Sequence, residues 1–358
     1  MEDTQLHVRM SQDYDKNSHG QRSSALNSLP KIKEHVKAII QNNSERFEKT
    51  HLPFTIADLG CADGHNSIPV LDSVICLIRE AHPELPISIY LNDTPSNDFS
   101  SVVQKVSSGL GNHTHVSVYS IGKSFYESLF SDNSVDLMIS SVAAHWIPTL
   151  PCPINYMGCL LMGKFAESPE GQIWEKEAEK YWERFLNLRY QELRLGGLLV
   201  VTVPAFSDIP TSEDLRRLEH SAHWKLCFFK ALSKFNLECD KNYTLPAVLR
   251  SLKHYKKAFD EKKTKLQLIE SFYTPPIESY PIDEQDPIGN VIKYTRFVRA
   301  ISYEVLKNQM MKKGVEEEVA KKVLEEFYEK EMVEHFLKTE LAEKAISHQY
   351  LGLMIQKK

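Results

Sequence analysis

Apolar residues follow two alternating rhythms along the first two hundred positions. Compact apolar runs at Ile56 to Leu59, Ile87 to Leu91, His115 to Ile121, Val135 to Ser141 and Leu198 to Val203 have the length and β-branched content of buried strands. Between them the apolar positions recur every three or four residues, as in Ile68, Leu71, Val74, Ile75 and Ile78, which is the period of a helix with one buried face. Trp174 to Glu192 predicts a long amphipathic helix that feeds the last strand through Gly196-Gly197. Ile32, Val36, Ile39 and Ile40 predict an earlier one, preceded by an irregular segment from Tyr14 to Arg22. Strands alternating with helices predict an α/β fold built on a doubly wound, mostly parallel sheet.

Past Pro204 the rhythm changes. Ser207 to Ser271 is charged and largely helical, with Trp224, Leu226, Phe228, Phe229 and Leu232 as an apolar face. Tyr273 to Pro287 holds four prolines and several acidic residues, so an extended connection is expected there. Helix resumes at Asn290 and again from Val315 to Lys338, and Tyr350 to Ile355 is apolar and short enough for a closing strand. The mixed charges between Glu316 and Glu334 read as a solvated helix face. The expected organisation is a core in residues 1–205, an inserted helical cap in 206–290, and C-terminal helices and a strand in 291–358 that return to the core.

At 358 residues the chain has room for a core of about 200 residues plus an insertion. A formal charge of −5 supplies no field for nucleic acid or an acidic membrane, so neither partner is expected. No apolar run approaches membrane-spanning length, and the N-terminus lacks a signal-like apolar core. The six cysteines, Cys61, Cys76, Cys152, Cys159, Cys227 and Cys239, form no CxxC pair and read as small buried hydrophobes. These features predict a cytoplasmic protein with reduced thiols.

The chemistry concentrates in Asp58-Leu59-Gly60-Cys61-Ala62-Asp63-Gly64, where a strand enters an acidic, glycine-bearing turn before a helix. A phosphate site wants N–H donors and cations; Asp58 and Asp63 favour a cationic, hydroxyl-rich ligand instead, and S-adenosylmethionine is both. Asp93, just past the second strand, is placed to accept both ribose hydroxyls. Standing alone, the turn is also compatible with an ordinary capped strand-turn-helix. Near the end of the fourth strand, Ser140 to Pro148 includes His145 and Trp146, and strand ends in open α/β sheets are where ligands bind.

Taken together, Asn17-Ser18 with Gln21, Ala57 to Cys61, Leu91-Asn92-Asp93 with Asn97-Asp98-Phe99, Gly122 with Ser124-Phe125-Tyr126, and Ser140-Ser141 with His145-Trp146 resemble the SABATH family of methyltransferases. Phe297-Val298-Arg299-Ala300 extends the likeness toward the C-terminus. The resemblance implies a Rossmann-like class I methyltransferase, S-adenosylmethionine as donor, S-adenosylhomocysteine as product, and a homodimer. It implies donor contacts from Ser18, Asp58, Gly60, Asp63, Asp93, Thr94 and Ser140, with Ser124 and Phe125 flanking the adenine. Gln21 and Trp146 match the pair whose amide and indole N–H groups hold a substrate carboxylate. Such neutral donors orient an anion without the tight ion pair that would blunt its nucleophilicity. Trp224 and His145 are expected to touch substrate.

Several positions depart from that pattern. The plant turn after the Cys is of Ser-Ser-Gly-Pro-Asn type, whereas this chain has Ala62-Asp63-Gly64-His65-Asn66, so Asp63 adds charge there. Val142 and Ala143 are small where relatives carry bulk, which suggests a differently shaped or longer substrate slot. Gly171 to Trp174 and Ser271 to Thr274 lack the motifs by which some relatives bind magnesium, so no metal is expected. The expected activity is methyl-ester formation on a small apolar carboxylic acid. N- or O-methylation of a neutral heterocycle or phenol, with His145 as base, stays open, as does a protein that binds the donor without transfer.

Overall fold

The computed structural model describes residues 10, 17–50, 52–339 and 346–358. Tyr14, Asp15 and Lys16, at the start of the expected irregular segment, lie outside them. The N-terminal half runs α1 (His19–Asn42), α2 (Ser44–Thr50), β1 (Phe54–Leu59), α3 (Ile68–Ala81), β2 (Ile87–Asp93), α4 (Phe99–Gly109), β3 (Val116–Gly122) and β4 (Val135–Ser141). It continues through β5 (Cys159–Leu160), α5 (Gly163–Glu167), α6 (Pro169–Glu192) and β6 (Leu193–Ala205). The remainder is α7 (Ser212–Lys234), β7 (Val248–Leu249), α8 (Leu252–Asp260), β8 (Gln267–Tyr273), β9 (Ile277–Glu278), α9 (Pro287–Lys312), α10 (Glu317–Glu326), a π-helical turn (Phe327–Glu331), α11 (Met332–Phe336) and β10 (Ser347–Gln356).

The main sheet has the order β3-β2-β1-β4-β6-β10-β8, with β9 paired beside β10. Pairings from β3 to β6 are parallel and β10 is antiparallel to both neighbours, so the sheet is mostly parallel as expected. Successive residues alternate faces. Leu198 and Val200 of β6 and Met354 of β10 join Ile32 and Val36 of α1, Val74 and Ile78 of α3, and Val106 of α4. Leu199 and Val201 of β6 and Leu351, Leu353 and Ile355 of β10 join Trp182 and Phe185 of α6 and Tyr255 of α8. Burial on both faces is why these strands read as continuous apolar runs.

A separate helical core lies beyond the sheet. Cys227, Phe228 and Leu232 of α7 pack with Val298 and Leu306 of α9 and with Val323, Leu324, Phe327 and Phe336. The segment between Glu316 and Glu334 therefore buries an apolar stripe beneath its solvated charges.

Four local expectations change. Helix α1 starts at His19, not after Arg22, because the Arg22 N–H donates to the Ser18 carbonyl (3.0 Å) and the first turns bury Gln21, Ser24 and Ser28. Small polar residues in a buried stripe hide the helical period. Strand β6 starts directly after α6, and Gly196-Gly197 falls inside it, where the register against β4 jumps from Leu193 to Leu198. The glycines form a bulge: Gly196 has φ +79° and its N–H donates to the Lys357 carbonyl at 2.7 Å. Strand β8, which overlaps the end of the stretch expected to be largely helical, pairs with β10 in the main sheet. Finally, only Cys61, Cys159 and Cys227 are buried; Cys76 and Cys239 are exposed and Cys152 is intermediate, and all six are free thiols.

Gly60 ends β1 at φ +88°, and a Cβ placed there would lie 2.4 Å from the Ala143 Cβ. The turn is left-handed and pressed against the segment after β4, so the position admits only glycine. Gly60→Ala is expected to cost about 1–3 kcal/mol, measured as a lower midpoint in denaturant unfolding.

Candidate active site

Strands β1 and β4 are neighbours at the point where the strand order reverses, and the connections at their carboxyl ends border a cleft of about 350 Å³. Gly60, Ala62, Asp63, Asp93, Thr94, Ser124 and Phe125 all line it. Their loops are stitched together by side chains from β2. The Asp93 carboxylate accepts the Ala62 N–H on Oδ2 and the Thr94 N–H on Oδ1, both at 2.7 Å. Asn92 donates from Nδ2 to the Ile121 carbonyl (2.9 Å) and the Lys123 carbonyl (2.7 Å). Asn97 Nδ2 returns to the Ala62 carbonyl at 2.6 Å, securing Ala62 in a left-handed conformation at φ +49°.

The loop that carries Ser124 and Phe125 is held from beneath by a buried ion pair. Arg189 meets Glu192 through Nε at 2.8 Å and also donates to the carbonyls of Phe125 (2.7 Å) and Glu127 (3.0 Å). Glu192 Oε1 accepts the N–H groups of Leu129 (2.7 Å) and Phe130 (3.2 Å). Both side chains are fully enclosed, so the pair functions as a template for the loop and not as a surface bridge. Nothing in the helical period of α6 revealed this role.

Asp63, Asp93 and Asp98 line the cleft, and Lys105 and Lys123 offset part of their charge. Asp63 is paired to Lys105 at 2.6 Å, so its charge is largely balanced by that ammonium. Asp58 is buried in β1 beside a small recess of about 40 Å³, which it shares with Gln21, Gly60, Asn66, Ser67 and Thr202. Burial pushes its carboxyl up to about 6, against a short hydrogen bond donated by Ser67 that acts in the opposite direction. Ser18 is buried close by, its Oγ accepting from Asn66 Nδ2 at 3.0 Å. Ser140 does not reach the cleft: its Oγ donates to the Leu59 carbonyl (3.1 Å) and ties β4 to β1, while Ser141 lines both cleft and recess.

A third cavity, of about 120 Å³, lies behind Trp146. Gln21 from α1, His145 and Trp146 from the turn after β4, and Trp224 from α7 all line it, so the four residues expected at substrate share one chamber. Trp146 and Val142 line both cleft and chamber, and Gln21 lines both chamber and recess. The turn is pinned on several sides. The Trp146 carbonyl accepts from the Tyr126 hydroxyl (2.8 Å), the Ile147 N–H donates to the Pro246 carbonyl (2.8 Å), and the Val248 N–H donates to the His145 carbonyl (2.8 Å). Val142 sits at φ +55°, an unfavourable conformation for a β-branched residue, held by its N–H bond to the Thr202 carbonyl at 2.8 Å.

Ala143 is packed against Gly60 and lines the cleft, while Val142 lines both cleft and chamber. Of the apolar face of α7, Phe228 and Leu232 turn into the helical core, whereas Trp224 lines the chamber. Its indole N–H is spent on the Tyr294 hydroxyl, which leaves the ring as its contribution. The sequence pattern missed Arg217, His220, His348 and Tyr350, which also line the chamber. Among the described residues, Asp72, Cys76 and His113 bring metal-ligand types together, but none of them lines these cavities.

A sheet of this order, with an acidic cleft at the β1–β4 switch point, defines a class I methyltransferase. The chain belongs to the SAM-dependent carboxyl methyltransferases, the SABATH family, whose family model matches residues 9–357, and S-adenosylmethionine is the methyl donor. It is 25% identical to a probable caffeine synthase 4 of Camellia sinensis, over 83% of this chain and 84% of that one. It is 26% identical to a probable jasmonic acid carboxyl methyltransferase 2 of Theobroma cacao, over 75% and 74%. A salicylate/benzoate carboxyl methyltransferase of Arabidopsis thaliana is 29% identical over 46% and 47%. The fold matches a solved loganic acid methyltransferase with SAH at TM-score 0.75 and 19% identity, covering 98% of each chain. Among the described residues, no helix is long and apolar enough to cross a membrane.

Arg189→Met leaves Glu192 as an uncompensated buried charge and frees the loop. It is expected to cost about 3–5 kcal/mol in denaturant unfolding and to weaken S-adenosylhomocysteine by about tenfold or more in calorimetry, with Arg189→Met/Glu192→Leu recovering part of the stability but not the affinity.

Proposed function

We propose that this enzyme methylates the carboxylate of a small acid, forming a methyl ester. The observation that carries the proposal is the convergence of Gln21 and Trp146, which come from distant parts of the chain, on one chamber that adjoins the cleft through Trp146 and Val142. Gln21 Oε1 is shielded from solvent and has no hydrogen-bond partner; an oxygen only accepts, so the donor to a carboxylate is the Nε2 amide group of the same side chain. When bound, S-adenosylmethionine supplies an electrophilic methyl group on a cationic sulfur. Asp93, Thr94, Ser124 and Phe125 are suited to hold its nucleoside end, and Asp58 with Gly60, Asn66 and Ser67 its amino-acid end.

A carboxylic acid has an ordinary pKa near ~4 and is ionised at neutral pH, so the enzyme needs to aim its oxygen and exclude water, not to remove a proton. Gln21 and Trp146 supply neutral N–H donors for that purpose. His145 supports the same reading, because burial first and the Arg250 charge second push its imidazole down to about 3. Such an imidazole is a weak base, poorly matched to deprotonating a phenol or a ring nitrogen. The N-methylating relatives keep the heterocycle alternative in view, and the variants below separate the two. The helices of α7 and of α9 to α11 act in this proposal as the cap over the chamber.

Gln21→Ala and Trp146→Phe are each expected to lower kcat/KM for the best acid about 10²–10³-fold while leaving S-adenosylhomocysteine affinity within about threefold. Full turnover in both variants, together with its loss in His145→Ala, would replace the carboxylate reading with a base-assisted one. Product absent from a broad acid and heterocycle panel, with donor binding intact, would leave a binding protein.

Asp58 gives a pH signature. Its folded pKa is raised, so the fold favours the protonated form, and stability falls as pH rises from about 4 through about 6. A cationic ligand favours the ionised form, so donor affinity is expected to fall below about pH 6, by up to about tenfold per pH unit. Asp58→Asn is expected to raise the thermal midpoint of the free enzyme by about 2–6 °C while weakening the donor and flattening its profile between pH 5 and 7, read by calorimetry across about pH 5–8.

A further inference from the structure

The chamber is largely apolar, and a few polar side chains interrupt its wall. Its wall from α7 and β10 presents Arg217, His220 and His348, with His145 from the turn after β4 beside them. His145 and His220 are each 6% exposed, and the Nδ1 of each is shielded from solvent with no hydrogen-bond partner. Arg217 stands 3.5 Å from His348 Nδ1 through Nη1. We propose that this wall is a second recognition subsite, which accepts an uncharged hydroxyl group borne by the ring of the acceptor acid at a position remote from its carboxylate.

Charge balance argues for an uncharged group. Arg217 is the cation that lines the chamber among the described residues, and it is already matched by Asp214 and engaged with the Ala205 carbonyl through both Nη atoms (3.1 Å each). Burial, with Arg217 and neighbouring imidazoles or arginines adding to it, pushes His145, His220 and His348 each down to about 3, so the wall is neutral at physiological pH. A neutral imidazole carries one acceptor and one donor nitrogen, which suits a hydroxyl and offers a second carboxylate little. The volume of about 120 Å³ is on the scale of a single ring. A ligand without the hydroxyl would desolvate the imidazole wall and return no hydrogen bond to it, which is how a site built for hydrogen bonds discriminates.

The inference deepens the carboxyl-transfer proposal and rests on it for the acidic end of the ligand, so its test reads binding and not turnover. Benzoate, 3-hydroxybenzoate, 4-hydroxybenzoate, phenol and toluene are titrated by calorimetry into the full chain saturated with S-adenosylhomocysteine. The better hydroxybenzoate is expected to bind about tenfold or more tightly than benzoate. His220→Leu and His348→Leu are each expected to shrink that ratio to about threefold or less, with S-adenosylhomocysteine affinity unchanged as the check on folding. Equal binding of benzoate and both hydroxybenzoates, or a ratio that survives in both variants, overturns the subsite. So does failure of phenol and both hydroxybenzoates to bind. Histidine-dependent binding of phenol, well above toluene, in an enzyme that esterifies no acid would uphold the subsite while removing the carboxylate proposal.

Discussion

The turn from Val142 to Pro148 is the constraint on which the rest of the site depends, because it forms a wall of both the donor cleft and the chamber. It is fixed from three directions: Gly60 presses on Ala143, the Tyr126 hydroxyl holds the Trp146 carbonyl, and the segment Pro246–Val248 bonds the backbone on either side of Trp146. Any one of these contacts would orient the turn loosely. Together they fix the place of the indole that separates two binding spaces, and the Val142 N–H bond to the Thr202 carbonyl holds that residue in a left-handed conformation. A methyl transfer needs both reactants aligned within a fraction of an ångström, so such over-determination is what the chemistry requires.

The buried charges serve the same end. Arg189 and Glu192 do not stabilise the surface; they spend their hydrogen bonds on the backbone from Phe125 to Phe130 and so shape the cleft. Asp93 likewise spends its carboxylate oxygens on two backbone N–H groups, which places an acidic side chain at the end of β2 with its orientation already set. Asp58 is different. It is held in an environment that disfavours its charge, a cost that a cationic ligand would relieve, and free-energy relief of that kind converts a destabilised residue into ligand affinity. In the chamber, by contrast, burial removes charge from three histidines and leaves hydrogen-bonding capacity without an ionic field.

The core was legible from particular residues for a physical reason. Strands β1, β2 and β4 and helix α3 are buried where their apolar periods say, and Gly60, Asp63, Asp93, Thr94, Ser124 and Phe125 reach one cleft because strand ends and the loops that leave them are close in sequence. Less was legible where burial used polar residues. Gln21 was read as lying in an irregular segment because Ser24 and Ser28 fill the buried stripe of α1, and β8 was taken for helix because its strand is only partly buried, at the sheet edge. Ser140 was expected at the donor from the family resemblance, which does not say which of two adjacent serines faces the cleft; its bond ties β4 to the Leu59 carbonyl, and Ser141 lines the cleft instead.

The sequence by itself determined the alternating α/β order, the acidic strand ends that suit a cationic nucleoside, and the family, since each of these is carried by local spacing. Only the tertiary structure decided what the chamber is made of. Arg217 and His220 from α7, His348 from β10 and His145 from the turn after β4 are separated by up to two hundred positions, and their meeting follows from β10 entering the sheet antiparallel beside β6. Local spacing specifies local geometry, whereas the polarity of an enclosed wall depends on which distant side chains the packing brings together and what burial then does to their charge.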